Sequence, residues 1–436
     1  MKRILVLLFA IVLLPSCDDD WFGKAGDPIL PGTRIPILLS NNPIEPDPSL
    51  ADAQVIYPPA SANPTWPMAG GYADHVMQHL ALNKDPLQTI WTADIGDGSS
   101  RDGYLVNQPV AAGGKVFTID VSSEVRAFDL NTGALIWSKD LVPDQEDSRS
   151  IANGGLAVDG DILYVTTGLA ELTAMNVANG DILWRQPVSS PLRTAPTVAE
   201  GKILVVPVDN RLTALTAKEG KLSWMYEGLN ESAALLGGAS PAISNGIALA
   251  TFTTGDLIAF DLKKGRPLWV ENLSRVRRGD LMATITSVQA LPAIHDGKVY
   301  AIGHSNRMLA IDLQSGERIW DLSVGGTETP WVTDNYVYII DNSNHLICVE
   351  MARGLVKWSV ELAHKDDAKN AHYAGPVLAG GRLFVVGGDE KLWVLSPQDG
   401  KVIGSYDLPG VSSISPIVAE NTLLVLTDNG KLVAFR

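Results

Sequence analysis

The chain of 436 residues contains two cysteines, Cys17 and Cys348. A single pair cannot build a disulfide scaffold, and the spaced Cys/His sets of structural zinc sites are missing. Positive charge is also scarce, with 34 Lys and Arg against 49 Asp and Glu, a formal net charge of −15. Nucleic-acid binders present basic faces, so that balance argues against DNA or RNA as a partner, and against broad adhesion to anionic lipid. The one long apolar run, Ile4 to Leu14, is too short to span a bilayer. No Gly-rich segment is followed by the Lys-Ser or Lys-Thr of a phosphate loop, and no G-x-S-x-G elbow occurs.

What is present is a repeat. Its marker is a small residue, an apolar residue and Asp or a substitute, then a turn ending in Gly, and a Trp four positions later. Ala127-Phe128-Asp129 with Gly133 and Trp137 is one clear copy; Ala259-Phe260-Asp261 with Gly265 and Trp269, and Ala310-Ile311-Asp312 with Gly316 and Trp320, are others. Looser copies end at Trp184, Trp224 and Trp358; another has Gly404 in the Trp position, and the last begins at Ala434 and stops at Arg436. A period of about 40–50 residues holding several short strands is the signature of a β-propeller. Each repeat reads as four antiparallel strands. The final repeat lacks its fourth strand, and a spare one with Trp91 lies upstream, at Leu87 to Trp91. That strand is expected to complete the last blade and close the ring, protecting its edges. Trp91, Trp137, Trp184, Trp224, Trp269, Trp320, Trp358 and the Gly404 position give eight blades. The seven Trp rings are expected to be structural, packed between blades, with the small slot reflecting close approach of neighbouring blades.

Lys2 and Arg3, the apolar run and Leu14-Pro15-Ser16-Cys17 resemble a bacterial lipoprotein signal, which implies lipidation of Cys17. An ordinary signal peptide with an incidental Cys17 is the other reading. Loss of the signal takes the charge from −15 to −17. The organisation expected is therefore a signal at 1–16, a lipidated Cys17 with a Pro-rich tether at 17–64, and a propeller at 65–436. At ~3.1 Å per residue the tether would reach on the order of 100 Å, and its apolar stretch Leu30 to Leu38 is a candidate for docking. With Cys17 lipidated, Cys348 has no partner and reads as a buried small thiol. Trp66 to Leu82 reads as ordered, with a short helix after Gly70-Gly71. On that helix His75 and His79 would stand at i and i+4, a spacing that can hold Zn²⁺. With no intervening Glu and no third ligand, a capping helix is the preferred reading. Arg275-Val276-Arg277-Arg278, the one basic cluster, reads as a solvated loop. No catalytic residue and no metal set emerges.

Two resemblances follow from these residues. The repeats resemble those of quinoprotein dehydrogenases, which hold pyrroloquinoline quinone (PQQ) and Ca²⁺ over the propeller axis; the adjacent Cys-Cys pair and long insertions of that family are missing. The combination of lipoprotein signal, Pro-rich tether with Leu30-Pro31-Gly32-Thr33-Arg34-Ile35, and eight Gly…Trp repeats is similar to the BamB family, in its alphaproteobacterial form. These are propeller lipoproteins of the β-barrel assembly machine. The resemblance implies a non-enzymatic scaffold without cofactor, anchored at the periplasmic face of the outer membrane. It would bind the POTRA domains of a BamA-like barrel protein, together with other lipoproteins of the complex. The family's docking loop matches Ser190-Pro191-Leu192-Arg193-Thr194-Ala195-Pro196, so Leu192 and Arg193 become candidate contacts. A second family loop carries acidic residues, whereas Leu235 to Ser240 here has none. Asp18 and Asp19 after Cys17 leave retention in the inner membrane open. A quinone-binding propeller is the alternative.

Overall fold

The computed structural model describes residues 44–84, 86–143, 154–229, 237–274, 288–362 and 372–436. The signal, Cys17, the tether as far as residue 43, Leu235-Leu236 and Arg275 to Arg278 lie outside the described residues. Eight separate four-stranded antiparallel sheets make an eight-bladed propeller. In chain order the blades comprise residues 110–140, 155–187, 197–227, 242–272, 293–322, 331–361 and 373–407; the eighth takes three strands from 417–435 and its fourth from Thr89–Asp94. Within a blade the strands are called a to d from the axis outward. The closing strand pairs Trp91 with Ala434 and Asp94 with Lys431, as the truncated last repeat required.

Burial falls from axis to rim. Strand a of blade seven, Tyr373–Ala379, is buried throughout, whereas strand d of blade one, Leu135–Asp140, is exposed at five of its six positions. The outermost strand of blade six, Val356–Glu361, is the better covered one, exposed only at Glu361.

The repeat marker has a specific geometric reason. In every blade the small slot of strand c faces the Trp slot of strand d directly: Ala127 with Trp137, Ala174 with Trp184, Ala214 with Trp224, Ala259 with Trp269, Ala310 with Trp320, Cys348 with Trp358 and Ala434 with Trp91. The slot is small because an indole lies opposite it in its own sheet, so the constraint arises within a blade before it arises between blades. Where Gly404 replaces Trp, its partner grows to Val394.

Each indole then covers the next blade. A Cβ built on Gly133, Gly180, Gly220, Gly265, Gly316, Gly354 or Gly400 would fall no more than 2.8 Å from the Trp of the preceding blade. These glycines close the c–d turns at φ of 64–74°, where only Gly is relaxed. Six of the seven indoles also donate Nε1–H to that blade, as Trp224 does to Leu262 O at 2.8 Å and Trp320 to Met351 O at 2.8 Å. Trp184 is the exception; Tyr164 Oη takes the equivalent carbonyl, that of Ala217, at 2.9 Å. The Gly404 position follows from the same rule. Its neighbour is blade eight, whose fourth strand is Thr89–Asp94, so no c–d turn joins it to Lys431–Phe435 and no glycine waits for an indole. Tyr406 serves that joint instead, packing on Phe435 and accepting from the Leu87 N–H at 2.9 Å.

Residues 44–64, which the sequence suggested as the end of an extended tether, lie on the propeller. A 3-10 turn at Pro48–Leu50 follows the N-cap Asp47. Asp47 N–H reaches Val356 O at 2.8 Å, Lys357 Nζ donates to Leu50 O at 2.6 Å, and Gln398 bonds both the N–H and the C=O of Val55. Val356 and Lys357 begin strand d of blade six and Gln398 lies in the c–d turn of blade seven, so the segment enters on the face of the short turns.

Candidate functional site

From there the chain runs onto the propeller axis. The innermost strands are sheet edges with free polar groups facing the channel. Asn63 bonds strand a of blade eight through Val418 O and Glu420 N–H; Trp66 exchanges two backbone bonds with Ala111 of blade one; Pro67 O accepts from Val158 of blade two. Ala73 O and Asp74 O accept from Ile243 and Ile294 of blades four and five, Gln78 O accepts from Trp331 Nε1 of blade six, and Leu80 pairs with Leu378 of blade seven. Met68 shares an apolar cluster with Val198 and Ile203 of blade three. Residues 63–80 thus hydrogen-bond to seven blades, join a core cluster of the remaining one and close the channel near its short-turn end.

This path overturns the helix expected after Gly70-Gly71. His75 and Gln78 have φ of 59° and 53°, and no helical turn forms. The two histidines consequently part. His75 Nδ1 lies 2.8 Å from Pro292 O, whereas His79 Nδ1 lies 2.8 Å from Pro58 O and its Nε2 accepts from Gly381 N–H at 2.9 Å. Local propensity lost to the strand edges, which supply hydrogen-bond partners at an extended spacing.

On the other face, that of the inter-blade loops, the blocked channel leaves a pocket of about 140 Å³. Trp66, Gly70 and His75 form its floor; Gln108, Gln289, Glu328, Trp331, Pro376 and Ser415 are among its walls. Glu328 is its carboxylate: Oε2 accepts from Gly375 N–H at 3.1 Å and Oε1 stands 3.3 Å from His372 Nε2. That pairing raises the His372 pKa. Burial pushes His75 down to about 4 and keeps its ring neutral. The quinone and Ca²⁺ raised by the repeat resemblance do not fit these residues. Small-molecule sites run from ~300 Å³, Ca²⁺ takes about six to eight oxygen ligands, and among the described residues no three His, Cys, Asp or Glu converge.

The loop face also carries Leu192 and Arg193, and the structure separates them. Leu192 is fully buried; its N–H bonds Thr167 O at 3.1 Å and it bridges to Pro207. A residue in that position holds the loop from below and presents no surface of its own. Arg193 is partly exposed, makes no ion pair with the described residues, and borders a shallow groove lined by Val208, Gly237, Phe252 and Val288. Val208 N–H bonds Pro191 O at 3.0 Å and Asn210 Nδ2 donates to Leu229 O at 2.6 Å. Val208 and Leu229, 42% and 76% exposed, therefore flank the same loop. Sequence reasoning missed both, because exposed apolar residues in loops carry no pattern. Cys348 is buried opposite Trp358, and burial raises its thiol pKa well above the ordinary value.

Comparison with known proteins separates what the fold cannot. The crystal structure of BamB from Moraxella catarrhalis superposes with a TM-score of 0.70 at 17% identity, covering 80% of this chain and all of that one. Quinohemoprotein alcohol dehydrogenase from Comamonas testosteroni matches nearly as well, with a TM-score of 0.68 at 14% identity over 86% of this chain and 81% of its own. The propeller alone is therefore shared by assembly factors and enzymes. In sequence, outer membrane protein assembly factor BamB of Yersinia pestis is 25% identical over 351 residues, 79% of this chain and 88% of that protein. The family model described as outer membrane protein assembly factor BamB matches residues 121–360 and 358–436. With most of the propeller inside that match, the chain belongs to the BamB family of outer membrane protein assembly factors.

Proposed function

We propose that this protein is a non-enzymatic scaffold of outer-membrane β-barrel assembly, lipid-anchored through Cys17 at the periplasmic face of the outer membrane. It binds the POTRA domains of a BamA-like barrel protein through its loop face and acts beside the other lipoproteins of that complex. The observation that carries this reading is the assembly-factor family match across residues 121–360 and 358–436. Support comes from Arg193, a cation without an ionic partner among the described residues, beside a groove and two exposed apolar side chains. An Arg next to apolar anchors is the composition that interface hot spots favour. Leu192 contributes by fixing the loop from below.

Calorimetry with the purified POTRA segment tests this. Arg193→Glu is expected to weaken binding about tenfold or more, equivalent to at least ~1.4 kcal/mol, with an unchanged circular dichroism spectrum. Unchanged affinity removes this loop from the interface. Absence of any binding by the unaltered protein, or a visible quinone absorbance in protein purified from its envelope, removes the scaffold reading.

A further inference from the structure

The axial pocket is short of positive charge. Among the described residues that line it there is no Lys or Arg, and Glu328 is the one carboxylate. His75 on the floor is neutral, since burial holds it at about 4. The counter-charge nearest to Glu328 is His372, whose Nε2 stands 3.3 Å from Oε1 but whose side chain is 51% exposed and lies outside the pocket walls. Glu328 keeps room for a further donor. A carboxylate offers about four lone-pair sites; Gly375 N–H engages Oε2, His372 stands at Oε1, and the Glu328 side chain remains 14% exposed. The walls around it include Asn107, Gln289, Thr327 and Ser413, partly exposed amides and hydroxyls with oxygen acceptors and no charge.

The pocket is also continuous with the groove beside Arg193, because Gly238 lines both. One docked surface can therefore enter both depressions. One of them holds a carboxylate and the other borders a guanidinium, and fixed charges of opposite sign set the register of a partner.

These features define the group that fits. An anion would meet the Glu328 carboxylate, and a neutral group would leave that charge unpaired. Ca²⁺ takes about six to eight oxygen ligands, whereas no three His, Cys, Asp or Glu converge among the described residues. An ammonium is a compact, strongly hydrated point charge. A guanidinium is more weakly hydrated and spreads its N–H donors over a plane, which suits a carboxylate on one wall and uncharged oxygens on the others. The volume of about 140 Å³ is close to the ~150 Å³ cavity that holds benzene, enough for a guanidinium and the methylene that carries it.

We infer that the axial pocket takes the guanidinium of an arginine side chain, inserted by the protein that docks on the loop face and covers the groove beside Arg193. This rests on the scaffold reading above and extends the docking surface from blades three and four to the propeller axis.

The probe is methylguanidinium, with methylurea as its neutral isostere, added to the full-length protein. Of seven histidine ring signals in the NMR spectrum, the one lost in His372→Gln belongs to His372. Methylguanidinium is expected to move that signal saturably in the millimolar range, and methylurea is not. Glu328→Gln keeps an acceptor for the Gly375 N–H and is expected to weaken the response at least tenfold. A linear or absent response, an equal response to methylurea, or an unchanged affinity in Glu328→Gln overturns the proposal. The contrast between the two probes on the unaltered protein decides it even if the variant fails to fold. In calorimetry with the POTRA segment, Glu328→Gln is expected to weaken binding about tenfold, and methylguanidinium but not methylurea is expected to compete. A POTRA segment that binds the variant as tightly as the unaltered protein removes the inserted arginine and leaves the scaffold reading standing. A POTRA segment that binds neither removes the scaffold reading, and the inserted arginine with it.

Discussion

Blade four offers a clean measurement of what the interblade indoles contribute. Gly246 and Gly265 close two of its turns at nearly equal φ, 74° and 68°. A Cβ at Gly246 meets nothing within 4 Å, whereas one at Gly265 falls 2.6 Å from Trp224 Cε3. Gly246→Ala and Gly265→Ala therefore share the left-handed backbone cost, ~1–2 kcal/mol, and share the gain from a stiffer unfolded chain. Only Gly265→Ala must also displace an indole. Overpacking of that kind costs about 1–3 kcal/mol, and the Trp224 Nε1 bond to Leu262 O, worth about 1 kcal/mol, is at risk with it. The expected loss is thus ~1–2 kcal/mol for the first substitution and ~2–5 kcal/mol for the second. Urea unfolding followed by far-UV circular dichroism reads both as a shift in midpoint at constant slope. Equal shifts would refute the account, since the interblade contact would then carry no energy beyond the turn itself.

Three further outcomes are expected. Trp358→Ala should cost about 3–5 kcal/mol as a buried aromatic truncation, while Gly404→Ala, with open space around its Cβ, should change stability by less than ~0.5 kcal/mol in the same urea assay. His75 is held at about 4 in the fold against an ordinary 6.5, so the unfolded chain binds the proton more tightly. Its stabilising share is then complete above about pH 6.5 and is lost as pH falls toward 4, ~3 kcal/mol in all; a His75→Phe variant should show a flatter decline over that window, and an identical decline would count against the assignment. Cys348 should resist alkylation at pH 8 in the folded protein and react once urea unfolds it; rapid labelling of the native chain would contradict its burial.

The propeller was legible because its information is local and repeated. Asp, Gly and Trp sit at fixed offsets, and each repeat supplies its own turn chemistry and its own buried strands. Even the ring closure could be read, since a repeat missing Trp at one end matched a spare Trp91 at the other. The reason for the small slot was not legible: it depends on the register that sets Ala259 opposite Trp269, and register is a property of paired strands. The seating of residues 44–64 on the propeller and the extended path that replaces the expected helix after Gly70-Gly71 were not legible, for a different reason. Their backbone partners are inner-strand edges hundreds of residues away, such as Val418 for Asn63, so no period of 2 or 3.6 marks them. The candidate site was half legible. The loop around Arg193 matched a family pattern, but the burial of Leu192 depends on its bridge to Pro207, in a hairpin of the next blade.

The one-way overlap of the blades has a bearing on where this chain can be cut. Every indole leans on the c–d turn that follows it, and blade eight, whose outer strands are Lys431–Phe435 and Thr89–Asp94, is the single blade without such a turn. A circular permutant that joins Arg436 to the closing strand and opens instead at Gly133, Gly265 or any other c–d glycine would leave a Trp without its seat. Opening at a b–c hairpin, such as Asn306 or Asn344, would spare all seven contacts. New termini are thus expected to be tolerated on the face of the loops and resisted on the face of the short turns.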